Sequence, residues 1–204
     1  MNRVLVVFSL LILAMGAAQA APVFVDFSPL GIYSYGITVP NHYTIDGVDF
    51  TYDNFLSPDD SAQIDQWGVF GTTYGSLILN FQMPVSMVIF DFTMIGVGGN
   101  VNDAAFVMFK NNGSDVADAS ASASYAPYDP GNPLLGGDAY GTLTYSGNQV
   151  NQALIFFSTD APYFSLDTLT YEPVTCAAPE PSSFAALALA LLGVPALRFT
   201  RRRR

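Results

Sequence analysis

Cysteine, histidine and tryptophan occur once each in this 204-residue chain, as Cys176, His42 and Trp67. A single thiol excludes an internal disulfide, and one histidine with one cysteine supplies no zinc ligand set. No Gly-x-Ser-x-Gly elbow accompanies His42, so a serine triad lacks its best signature. His42 stands at a strand margin and reads as a surface or hydrogen-bonding residue. Cys176 sits in a linker and reads as an inert residue near a cleavage site, with a reactive or cross-linking thiol as the alternative. Basic side chains are also few: seven Lys and Arg stand against 17 Asp and Glu, a net charge of −10. Six of the seven are terminal, at Arg3, Arg198 and Arg201 to Arg204. Between Ala21 and Thr175, Lys110 alone faces fifteen aspartates and Glu172, a formal charge of −15. Such a body repels nucleic acid and anionic membrane surfaces, leaving neutral, cationic or metal-bridged partners. The same charge also serves solubility alone.

Both ends read as processing segments. Met1-Asn2-Arg3 precedes an almost continuously apolar run, Val4 to Met15, and Ala18 and Ala20 occupy the minus-three and minus-one positions before Ala21. This is the plan of a signal peptide over residues 1–20. At the other end, Ser182 to Leu197 is apolar and as a helix rises about 24 Å at ~1.5 Å per residue. That is slightly short of a bilayer core of about 30 Å, a gap that snorkelling by Arg198 and local thinning absorb. Residues 182–197 are therefore expected to form a transmembrane helix. Arg198, Arg201, Arg202, Arg203 and Arg204 then stay cytoplasmic by the positive-inside bias. Residues 176–178 are the linker between this anchor and a single domain, 21–175.

The order Pro179-Glu180-Pro181, apolar segment and arginine tail resembles the PEP-CTERM sorting signal of Gram-negative bacteria. That tail is also called the ice-binding protein carboxyl-terminal domain, a label that does not imply ice binding. The resemblance covers 26 residues, 179–204, and implies recognition and cleavage near Pro-Glu-Pro by an exosortase, a membrane-embedded cysteine transpeptidase. It further implies export to the cell surface or extracellular matrix, often in species that make exopolysaccharide. Pro195 departs from an uninterrupted span, since proline kinks or ends a helix.

No stretch of the body carries a 3.6-residue apolar stripe of helical length. Short β-branched and aromatic runs bounded by Gly, Pro, Asn or Asp predict about eight strands instead. They are Val23 to Val25, Tyr43 to Tyr52 with a break at Gly47, Leu77 to Phe81, Val85 to Met94, Phe106 to Phe109, Thr142 to Tyr145, Leu154 to Phe157 and Phe164 to Tyr171. The Ala/Ser/Asp stretch Val116 to Ser124 fits either a solvent-facing edge strand or a mobile loop. The fold class expected is all-β, a two-sheet sandwich, jelly-roll or galactose-binding-like. Three segments carry a second resemblance: Val25-Asp26-Phe27, Asp46-Gly47-Val48-Asp49-Phe50 and Phe164-Ser165-Leu166-Asp167. They are similar to segments of galactose-binding-like and other carbohydrate-binding sandwiches.

Catalytic signatures are missing, so the chain reads as a non-enzyme. The alternative is a carbohydrate-active hydrolase, which needs two carboxyl groups facing across a cleft; fifteen aspartates make such a pair arithmetically easy. Calcium takes six to eight oxygen ligands. Asp59, Asp60 and Asp65, or Asp129, Asn132 and Asp138, offer them without matching an EF-hand, and aspartate is equally ordinary turn chemistry. For sugars, candidates are Trp67 beside Asp65 and Gln66, and Tyr125, Tyr128 and Tyr140 around the long connection Pro127 to Gly141. The plainer reading puts Trp67 in the core and the tyrosines in the sheets with wet hydroxyls. The function expected is non-catalytic association with exopolysaccharide or matrix proteins, with a purely structural surface protein as a further alternative.

Overall fold

Aspartate, asparagine and glycine punctuate the aromatic and β-branched runs, and the chain turns where they stand. The computed structural model describes residues 20–32, 35–37, 41–56, 61–130 and 136–174. Among these, eleven strands form: β1 (Val23–Phe24), β2 (Tyr35–Ile37), β3 (Tyr43–Ile45), β4 (Val48–Asn54), β5 (Ala62–Asp65), β6 (Gly68–Thr72), β7 (Gly75–Val97), β8 (Val101–Asn111), β9 (Ser114–Pro127), β10 (Gly137–Phe157) and β11 (Tyr163–Pro173). Ser28–Leu30 is a single 3₁₀ turn. Ala20 and Ala21 open the described body; Ala18, the 176–178 linker, Pro179-Glu180-Pro181, the 182–197 segment and the terminal arginines lie outside it.

The all-β expectation holds, and every pairing among the described strands is antiparallel. The expected two sheets are one hydrogen-bonded sheet bent into two layers. Its path runs β2-β5-β6-β11-β7-β10-β8-β9, with β4 also on β7 and β3 on β4. Two long strands serve both layers. Residues 85–97 of β7 pair with the first half of β10 and with β11, while residues 75–81 pair with β4 and the last part of β10. The register shifts between Ser146 and Gln152 mark the bend. Opposite them stands Pro84, which has no N–H for the ladder, and Gly147 lies in the shifted segment. Four expected strands are thus halves of two longer ones, since neither bend ends the chain direction.

The break at Gly47 is a hairpin. Asp46 and Gly47 both hold positive φ, 46° and 77°, as a two-residue turn between antiparallel strands requires. Val116 to Ser124 lies within β9, resolving that ambiguity in favour of a strand. Strand β9 pairs with β8 along its first part and with the start of β10 at its end, so it closes one side of the two layers. On the other side, the edge strands β2 and β3 meet through Tyr35 and Tyr43, whose ring centroids are 5.1 Å apart.

Between the layers runs a seam of aromatic contacts. Phe157 stacks on Phe164 at 4.0 Å, Phe109 on Tyr145 at 4.1 Å, and Phe81 meets Tyr171 at 5.4 Å. Each pair joins one layer to the other. Alternation does the sorting: Val48, Phe50 and Tyr52 of β4 and Ala153, Ile155 and Phe157 of β10 point inward and are buried, leaving the intervening side chains on the outer faces.

Candidate functional site

The first layer's outer face carries an aromatic and hydroxyl-rich surface. Strand register places Tyr140 of β10 beside Thr93 of β7, Thr93 beside Ser165 of β11, and Ser165 beside Phe70 of β6. Two residues along, Asp138, Ile95 and Tyr163 align across the first three of these strands. At ~4.8 Å per strand, Tyr140 and Phe70 are about 14 Å apart. Both remain exposed, Tyr140 at 54% and Phe70 at 41%. Tyr163 stacks on Phe70 with centroids 5.5 Å apart, and Tyr128 extends the opposite flank.

Hydrogen bonds organise the floor between these rings. Thr93 donates Oγ1–H to Asp167 Oδ2 at 2.6 Å. Asp91 accepts from Thr142 at 2.6 Å on one oxygen and from Thr168 at 2.8 Å on the other. Such charge-assisted bonds hold carboxylates in fixed orientations. Tyr128 donates its hydroxyl to Asp138 Oδ1 at 2.6 Å, and the Gly96 N–H reaches the same oxygen at 3.2 Å. The bond to Asp138 is the main reason the Tyr128 hydroxyl titrates above its ordinary value, with slight burial and the Asp138 charge adding to it. Tyr128 therefore remains a protonated donor throughout the physiological range.

The sequence candidates divide. Tyr128 and Tyr140 belong to this face, whereas Tyr125 turns inward and its hydroxyl is buried without a described partner. Trp67 is not core: it is 72% exposed in the β5–β6 turn. The turn explains the placement, because Asp65 Oδ1 accepts the Trp67 N–H at 2.8 Å and leaves the indole outside both layers. His42 is exposed. Phe70, Tyr163, Thr93 and Asp91 were not singled out in the sequence, and Asp167 was named only within the segment Phe164-Ser165-Leu166-Asp167. For Phe70 the available signal was its alternation with buried Val69 and Gly71; for the others it was cross-strand alignment, which a linear reading lacks.

Neither calcium group is described whole; among the described residues, no three His, Cys, Asp or Glu side chains converge. Asp65 is committed to the turn at Trp67, and Asp138 to Tyr128 and Gly96. Asp59, Asp60 and Asn132 lie outside the described residues.

No family model matches the chain, and no curated protein matches it. Among solved structures it is similar to a xylan-binding module, CBM15, with 11% identity and a TM-score of 0.38, covering 71% of this chain and 99% of that one. It is also similar to the CBM22-1 xylan-binding domain of Xyn10C from Paenibacillus barcinonensis, with 11% identity and a TM-score of 0.36, covering 79% of this chain and 100% of that one. A third likeness is to the catalytic unit of a GH87 alpha-1,3-glucanase from Streptomyces thermodiastaticus, at 13% identity and a TM-score of 0.36, covering 80% of this chain and 28% of that one. At such scores and identities these likenesses assign neither a fold family nor an activity.

Proposed function

We propose that the body is a non-catalytic carbohydrate-binding module of an exported surface or matrix protein. The observation that carries this reading is the row Tyr140, Thr93, Ser165 and Phe70, with Tyr163 stacked beside it, on an outward sheet face. Sugar rings present apolar C–H faces and polar rims. The exposed aromatic faces stack on the former, while the exposed Thr142 hydroxyl oxygen and the floor carboxylates accept hydrogen bonds from the latter. The body's charge of −15 selects neutral polymers over acidic ones. A galactose-binding-like or jelly-roll lineage is part of this proposal and rests on the three segments named from the sequence.

Delivery is the second half of the reading. Residues 1–20 direct export, Pro179-Glu180-Pro181 and the segment after it present the chain to an exosortase, and the arginine tail holds the precursor in the membrane until cleavage. Intact mass of the mature protein tests this: loss of residues 1–20 and truncation near Pro179 are expected. A mature form retaining Arg204 would replace sorting with simple anchoring.

Binding is tested with the full chain in a sugar-free detergent, passed over immobilised neutral polysaccharides. Retention is expected, and Tyr140→Ala or Tyr163→Ala should weaken it at least tenfold. Running the same columns with chelator reports whether calcium contributes. Absence of retention on every polymer would favour a purely structural surface protein. Release of reducing ends from a bound polymer would favour the hydrolase.

A further inference from the structure

The second layer's outer face holds a separate feature: a cleft of about 230 Å³ lined by Asn80, Phe81, Asn112, Gly113, Asn151 and Gln152. Four of the six are side-chain amides, contributed by β7, β10 and the β8–β9 turn. Their convergence has identifiable causes. Asn80 and Gln152 are cross-strand neighbours in the β7–β10 ladder, and Gln152 Nε2 donates to Asn80 Oδ1 at 2.7 Å. The register shift between Val150 and Gln152 breaks the alternation of β10, so that Asn151 and Gln152 both line the cleft. The Asn112-Gly113 turn, with φ of 50° and 80°, reaches over from β8. It is clasped to the bulge: Asn112 N–H donates to Asn151 Oδ1 at 3.0 Å, and Asn151 Nδ2 donates back to Asn112 Oδ1 at 3.1 Å.

We propose that this amide cleft is a second ligand site, distinct from the aromatic face of the first layer, and that it takes one ring of a neutral polyhydroxylated compound. Charge decides against ions. No lining residue is charged, and the neighbouring cation Lys110 is paired with Asp115 at 3.4 Å. An apolar guest would leave the amides' remaining donors and acceptors unmet. Each amide offers two N–H donors and two acceptor lone pairs, so the internal bonds use under half of this capacity. Adjacent donor and acceptor on one planar group match a vicinal diol, whose two hydroxyls donate and accept side by side. The volume of about 230 Å³ suits one sugar ring. A platform continues beyond it: Leu154 and Phe156 follow Gln152 on the same side of β10, and Phe156 contacts Phe106 and Phe55 with centroids 6.3 and 6.2 Å away. Phe156 lies about 13 Å from Gln152 at ~3.3 Å per residue, within reach of later rings of a chain seated by its end.

The experiment follows the side-chain amide resonances of the full chain by NMR, in sugar-free detergent, titrating glucose, galactose, mannose and xylose separately. Saturable shifts of the Asn80, Asn112, Asn151 and Gln152 amides with at least one sugar are expected. Asn151→Ala should weaken that binding at least tenfold. Gln152→Glu, which keeps shape but removes the donors, should weaken it similarly. Tyr140→Ala, on the other face, should leave it unchanged while weakening polymer retention, so the two sites fail separately. Cleft amides that stay fixed with all four sugars would overturn the proposal, as would shifts insensitive to Asn151→Ala in a variant with wild-type backbone resonances.

Discussion

At the scale of single residues, the aromatic seam and its buried hydroxyls set the stability of the body. Phe164 is fully buried, stacks on Phe157 at 4.0 Å and touches Tyr52 at 6.2 Å. Its replacement, Phe164→Ala, opens a cavity between two layers whose backbones are hydrogen-bonded and cannot collapse into it. A loss of about 3–5 kcal/mol is expected in urea unfolding. Two buried tyrosines give the protein an alkaline limit. Burial raises the titration of Tyr145, and burial followed by the Asp46 charge raises that of Tyr171. Each folded value exceeds the unfolded value of about 10. Their contribution is therefore complete below pH 10 and disappears as pH rises through the elevated folded values. The urea midpoint should fall above pH 10, and Tyr171→Phe should flatten that fall while sacrificing the hydroxyl's bond to the Asp46 carbonyl.

Individual elements are fixed by their turns and bends. The Asp46-Gly47 and Asn112-Gly113 turns share positive φ at both residues, but their surroundings differ. A Cβ on Gly113 would meet nothing within 4 Å, whereas one on Gly47 would lie 2.9 Å from the Tyr171 hydroxyl oxygen. Gly113→Ala should cost about 1 kcal/mol from backbone strain alone. Gly47→Ala adds crowding against a hydroxyl held by Asp46 and should cost about 2–3 kcal/mol. Thermal unfolding of the two variants side by side measures the difference. Element identity was largely legible in the sequence, because alternating aromatic and β-branched residues have one stable use. Element length was not. The joining of Leu77–Phe81 to Val85–Met94 passes through exposed Gln82, Met83 and Pro84, which linear reading takes for a turn. Strands β2 and β6 were missed because Gly36, Gly68 and Gly71 interrupt their alternation, and β5 because it is only four residues long.

For the molecule as a whole, charge and the two outer faces predict how it meets polymers. An acidic polysaccharide should be retained poorly at low salt and better at high salt, since the Debye length falls from about 10 Å at 0.1 M to about 3 Å at 1 M. Retention of neutral polymers should hardly change over the same range. With the two proposed sites, one on each layer, one body would also bridge two chains. Mixing with a soluble neutral polysaccharide should then raise turbidity, and Tyr140→Ala or Asn151→Ala alone should abolish the rise while leaving one site intact.

The sequence by itself determined that the body is β throughout, acidic and without catalytic signatures, because composition and alternation are local properties of the chain. It also singled out Tyr128 and Tyr140, which flank one end of the aromatic face. Only the tertiary structure decided that two strands bend to serve both layers, that Trp67 stands outside the core, and that Phe70 and Tyr163 join Tyr140 across a floor of threonine and aspartate. It alone brought Asn80, Asn112, Asn151 and Gln152 to one cleft. Those groupings depend on cross-strand register and on a bulge, and residues 70 or more positions apart become neighbours only once the ladders form.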